Sequence, residues 1–158
     1  YCNNASGTQN TNGVRINCAT GVLFGAAWND FAEFRECECP AGTVVCETGK
    51  GNLVASSERL QAGAAVVSDT YGMVIGINSM TSAPIAVAGR VLVFFSGTKR
   101  DYKPGDAVCA AENGKIAVMT RDEIKEYPDR ILGYVSEIPS KKTWNKISTE
   151  GRIWIKIK

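Results

Sequence analysis

The run Trp28-Asn29-Asp30-Phe31-Ala32-Glu33-Phe34 holds the densest chemistry in the chain. Asp30 and Glu33 are three apart, as are Phe31 and Phe34. On one helical turn each pair would share a neighbourhood. Two neighbouring carboxylates raise one another's pKa and can divide acid and base work. Asn29 comes just before them. An Asn side-chain amide can attack its own carbonyl carbon and break the following peptide bond, here Asn29–Asp30. The leaving amine needs a proton, and Glu33 is the closest general acid by sequence. The plain structural alternative is that Asp30 and Glu33 cap and solvate a turn while the two Phe residues enter the core.

Other chemistry is excluded by composition. His is absent, which removes Ser-His-Asp triads, Cys-His dyads and His-ligated metals within this chain. Eighteen Lys and Arg against sixteen Asp and Glu give a net +2, too balanced to mark a nucleic-acid binder. No apolar run approaches the ~20 residues of a membrane span. Nothing calls for a cofactor. The six cysteines are Cys2, Cys18, Cys37, Cys39, Cys46 and Cys109. Cys37-x-Cys39-x6-Cys46 could give three thiolates to a metal, but CxC is a weak substitute for paired CxxC ligands. Disulfides and plain reduced thiols stay open; free Cys is among the residues most often buried.

These residues need a scaffold. At 158 residues and 17.0 kDa the chain is long enough for one domain with its own core, or one domain and an arm. At this size a fold buries roughly 68–70% of its unfolded surface, so no metal or disulfide is required. Composition changes near residue 29. Residues 1–29 carry one charge, Arg15, with six Asn, four Gly and three Thr. Within them 13–18 alternates and 21–25 is apolar, as short strands bounded by Asn and Gly turns would be. The division is therefore an uncharged, β-prone arm, 1–29, and a globular part, 30–158. The arm's backbone groups need pairing partners, which neighbouring subunits could supply; a flexible leader is the alternative. The Tyr1 start, with no signal pattern, suggests a piece of a longer protein.

The globular part predicts a mainly-β fold, a compact sandwich or small barrel with one short helix. Strands are expected at 43–47, 53–56, 73–77, 85–88, 89–95, 107–110, 115–119, 131–138 and 151–157. Glu112-Asn113-Gly114-Lys115 is a hairpin signal. Lys103-Pro104-Gly105-Asp106 reads as a tight turn. Thr120-Arg121-Asp122-Glu123 is a capping box, and Pro128 stops the helix it opens. A further single turn fits 57–60. Residues 141–158 hold six basic residues and one acidic. Their end, Arg152-Ile153-Trp154-Ile155-Lys156-Ile157-Lys158, alternates as a half-buried strand whose basic outer face protects an edge.

The run at 28–34 also resembles the (S/N)-D-[YF]-A-E motif of bacteriophage tail-appendage C-terminal domains. These are the self-cleaving intramolecular chaperones called the peptidase G2 type. Further resemblance lies in Ser57-Glu58-Arg59-Leu60-Gln61-Ala62-Gly63, Val67-Ser68-Asp69-Thr70-Tyr71-Gly72, Pro84-Ile85-Ala86-Val87-Ala88-Gly89-Arg90-Val91, Gly105-Asp106-Ala107-Val108 and Asp129-Arg130-Ile131-Leu132-Gly133. It spans about residues 28–158. The resemblance implies a homotrimer at the end of a phage or prophage tail fibre, joined to a parent fibre segment upstream. It implies location in the virion after synthesis in the bacterial host cytoplasm. It places a cut at Asn29–Asp30, with Glu33 assisting. Cutting members have Ser where this chain has Asn29; Ser can act by hydroxyl attack and acyl shift.

Three other readings compete. A receptor-binding tip would recognise a host glycan or surface protein, with Trp28, Tyr102 and Trp144 as stacking candidates. A Ser/Lys peptidase would draw on Ser56, Ser57 or Ser68 with Lys99 or Lys115. A Cys metal module would bind zinc.

Overall fold

The computed structural model describes residues 15–17, 22–24, 29–49, 51–76 and 79–158. Cys2, Cys18 and Trp28 lie outside the described residues, as does Ile77, the end of one expected strand.

The fold is mainly β with one short helix, as composition and punctuation predict. Strands β1 (Arg15–Asn17) and β2 (Val22–Phe24) pair antiparallel as a separate two-stranded sheet. The main sheet has ten strands. They are β3 (Asp30–Glu36), β4 (Val44–Glu47), β5 (Leu53–Ala55), β6 (Ala64–Val67), β7 (Tyr71–Ile75), β8 (Ser82–Phe94), β9 (Ala107–Ala111), β10 (Lys115–Val118), β11 (Gly133–Glu137) and β14 (Arg152–Ile157). A small hairpin, β12 (Thr143–Trp144) and β13 (Ile147–Ser148), stands apart from it.

The main sheet runs β10-β9-β11-β14-β8-β6-β4-β5, with β3 on β8 and β7 on β3. It curls into a half-barrel around one core. Val44, Cys46, Val66 and Ala86 line one side of that core; Val91, Val93, Val108, Ile116, Ile153 and Ile155 line the other. Its two ends meet at Ser56. The Ser56 carbonyl accepts the Gly114 N–H at 3.0 Å, and the Ser56 hydroxyl donates to the Ala111 carbonyl at 2.6 Å. A second apolar cluster covers the outer face of β4, β5, β6 and β8, through Val45, Leu53, Val67 and Ile85. Helix α1 (Arg121–Glu126) closes a third, around Cys109 and Met119.

Local signals at turns survive intact. The hairpin forms around a three-residue loop, Glu112–Gly114, in which Asn113 and Gly114 both take positive φ. Asp106 N–H reaches the Lys103 carbonyl at 3.0 Å in the turn at Gly105. Thr120 and Glu123 exchange both capping bonds, and Arg59 clamps Glu123 with two bonds of 2.7 Å. Residues 57–60 make a bend and turn without helix.

Three elements depart from expectation. The run at 30–36 is a strand, not a helical turn. It is pinned between β8 and the parallel β7, and pairing on both sides overrides local spacing. The expected strands 85–88 and 89–95 are one strand, β8, bent within at Gly89. Its first half pairs β3 and its second half pairs β14. The basic C-terminal strand β14 is interior, between β11 and β8. Ile153 and Ile155 enter the core, and the opposite face is covered too. Arg152 is buried against Asp69, and Trp154 lies under Trp144 and Arg90. Three strands lacked any sequence signal: β6, whose first half is Ala-Ala, and the two-residue arms β12 and β13.

Candidate functional site

Strand geometry separates the two carboxylates. Side chains alternate along β3, so residues three apart face opposite sides. Asp30 and Ala32 are buried; Glu33 is exposed. Asn29 and Asp30 are brought together with groups from β8. Glu33 is not brought to them.

The Asn29–Asp30 peptide lies directly on the bend of β8. Gly89 has a φ of +105°, and a Cβ there would stand 2.2 Å from the Asn29 carbonyl oxygen and 2.7 Å from the Asp30 Cα. Only glycine permits this approach. The next residue uses it: the Arg90 N–H donates to the Asn29 carbonyl oxygen at 2.6 Å. This is the carbonyl of the bond in question, so its oxygen is already polarised by a fixed donor. The Arg90 guanidinium also donates to Asn29 Oδ1, at 3.5 Å. That guanidinium is held 5.2 Å over the Trp154 ring and 3.4 Å from Glu137. Register shifts in both ladders of β3 follow just after this bond, between Asp30 and Phe31 on the β7 side and between Phe31 and Ala32 on the β8 side, where Val87 is left as the extra residue.

Asp30 sits in a small polar nest. Thr70 Oγ1 donates to Asp30 Oδ1 at 2.8 Å, and the Thr70 N–H is held by Ser68 Oγ at 3.0 Å. Burial holds the Asp30 carboxyl above its ordinary value. The Ser68 and Thr70 hydroxyls oppose that rise, and the charge of Asp69 adds to it. Two buried side-chain polar atoms among the described residues lack a hydrogen-bond partner: Asn29 Nδ2 and Asp30 Oδ2. They flank one peptide bond. Buried polar groups are otherwise almost always paired, so this coincidence marks the site.

The cysteines make no comparable cluster. Cys46 faces the half-barrel core while Cys37 belongs to the outer cluster. Among the described residues no three Cys, Asp or Glu side chains gather as a metal site would need. Cys37, Cys39, Cys46 and Cys109 are unpaired thiols, and burial pushes Cys46 up to about 11. Ser56 and Ser68 are buried and committed to the bonds already described. Tyr102 is buried, with its hydroxyl between the Ser96 and Ile116 carbonyls. Trp144 is half-buried, edge-on to Trp154 at 5.2 Å.

Arg90 and Gly89 were missed by sequence reasoning. The signal available was the Gly-Arg step inside an apolar β run, where an isolated Gly marks a bulge or close backbone approach. Set against family models, curated proteins and solved structures, the chain matches none of them.

Proposed function

We propose that this chain is the C-terminal trimerisation and intramolecular-chaperone domain of a phage or prophage tail fibre or appendage. One observation carries the reading. The hairpin β1–β2 hydrogen-bonds to no other described strand, and it lies in the uncharged arm directly ahead of the buried strand β3. A lone two-stranded hairpin is marginal in water; a third strand or a packed face must complete it. Two further copies of the chain supply both. The edge strand β7 also leaves Tyr71 and Ile75 exposed, and Val87 is 49% exposed at the β8 bulge. Intertwined β fibres fold slowly because non-local pairing costs loop-closure entropy first. A trimeric end-domain raises the effective concentration of the three strands. Light scattering on the purified chain tests this: a trimer supports it and a monomer sinks it.

A receptor-binding tip is the second reading. An open cleft of about 240 Å³ is lined by Glu137, Lys141, Thr143, Trp144, Thr149 and Trp154. An aromatic wall beside polar groups suits a sugar ring. Glycan-array binding that falls on Trp144→Ala supports it, and no binding to any glycan removes that form of it.

A further inference from the structure

We propose that Asn29 cuts its own chain: its side-chain Nδ2 attacks its own carbonyl carbon, with the Arg90 N–H holding the oxyanion and Asp30 carrying the proton. This deepens the reading above, since release from a parent fibre would follow, but the chemistry needs only one chain.

The carbonyl under attack already accepts the Arg90 N–H at 2.6 Å. A donor fixed on that oxygen is worth most when charge develops there in a water-poor site. The side chain of Asn29 is oriented through Oδ1 by the Arg90 guanidinium, which leaves Nδ2 buried and without a partner. The acid belongs to the residue whose nitrogen leaves. Asp30 is 5% exposed, its Oδ1 is anchored by Thr70, and its Oδ2 is buried with no partner. Burial raises this carboxyl's pKa, which favours proton donation over that of an ordinary carboxylate. Glu33, exposed across the strand, has no such position.

The step balances. The Nδ2 lone pair forms a bond to the Asn29 carbonyl carbon and closes a five-membered ring. The C–N bond to Asp30 breaks. The Asp30 carboxyl gives its proton to the leaving nitrogen and receives the one lost by Nδ2. No water is consumed. The products are a C-terminal succinimide on residue 29 and a free α-amine on Asp30.

Incubation of the whole 158-residue chain near neutral pH, followed by intact mass, tests this. The expected result is two fragments whose masses sum to that of the intact chain, the larger beginning at Asp30. Hydroxylamine should trap the succinimide. N29A should abolish the cut, and D30N should slow it about 100-fold, the scale of a lost general acid. N29Q guards against a folding artefact: it keeps the amide but lengthens the ring, and should also cut poorly while melting like the parent. An N-terminal fragment heavier by one water from the earliest time point, with no hydroxylamine adduct, overturns cyclisation in favour of hydrolysis. No cut in a folded chain, or isoaspartate at 29 without a break, overturns the proposal. A larger loss on E33Q than on D30N overturns the Asp30 assignment. Light scattering on the same samples separates the readings: an uncut trimer refutes the chemistry alone, and a cut monomer refutes the trimer alone.

Discussion

Gly89→Ala is the sharpest perturbation of the bend that carries the Asn29–Asp30 bond. Its Cβ would sit 2.2 Å from the Asn29 carbonyl oxygen, 2.7 Å from Asp30 Cα and 3.1 Å from the Asn29 carbonyl carbon. All three atoms are backbone, so no side chain can swing away. Either β3 retreats at its first residue or β8 leaves φ +105°. Holding a non-glycine residue in such a conformation costs about 1–3 kcal/mol. Retreat of β3 breaks the Arg90–Asn29 hydrogen bond, worth about 1 kcal/mol net. The lower entropy of unfolded Ala returns about 0.4–1 kcal/mol. The sum is a loss of about 2 kcal/mol, which for a chain of this size lowers Tm by about 4–8 °C. Urea unfolding followed by tryptophan fluorescence reads it directly, and amide exchange at Arg90 should accelerate in the variant. A G89A protein within about 0.5 kcal/mol of the parent, with Arg90 still protected, refutes the close-approach reasoning.

Other outcomes follow from the same geometry. Asp69→Ala leaves Arg152 buried beside Phe94 without its carboxylate, and should cost about 2–4 kcal/mol in urea unfolding; Arg152→Met should cost less. Glu123 is pulled down to about 2, chiefly by Arg59, from an ordinary 4.5. Its contribution is therefore complete above the ordinary value and lost as pH falls through about 2. E123Q should cost about 1 kcal/mol at neutral pH, a figure kept small because Arg59 is partly exposed, and that cost should shrink towards nothing below pH 2. Asp30 has the opposite sign: its carboxyl is raised, so stability is fullest below the ordinary carboxylate range and declines as pH rises. D30N should thus stabilise the fold at neutral pH, with an advantage that fades on acidification. Under native alkylation near pH 8, Cys39 should react well before the buried Cys46 and Cys109, as peptide mapping will show.

Turn chemistry was legible because it is local. Asn113-Gly114, Pro104-Gly105 and the Thr120/Glu123 box each specify their backbone within four residues, and each forms as written. The failures are all tertiary. Asp30 and Glu33 at a spacing of three fit one turn of helix, and nothing nearby in sequence announces that β7 and β8 will flank them. The alternation of β14 was visible, but the cover on its outer face comes from Asp69, Arg90 and Trp144. Gly89 reads as punctuation in one dimension; in three it is the bend that lets β8 touch the Asn29–Asp30 bond. The site was half legible for this reason. Asn29 and Asp30 stand together in sequence, whereas Arg90 reaches them from sixty-one positions away.

The central claim is that this chain works as one of three. Multi-angle light scattering on the purified chain, at several concentrations, tests it most directly. The expected result is a mass three times 17.0 kDa that holds on dilution. A steady mass of 17.0 kDa contradicts it, and would leave β1–β2 as a hairpin with no subunit to complete it.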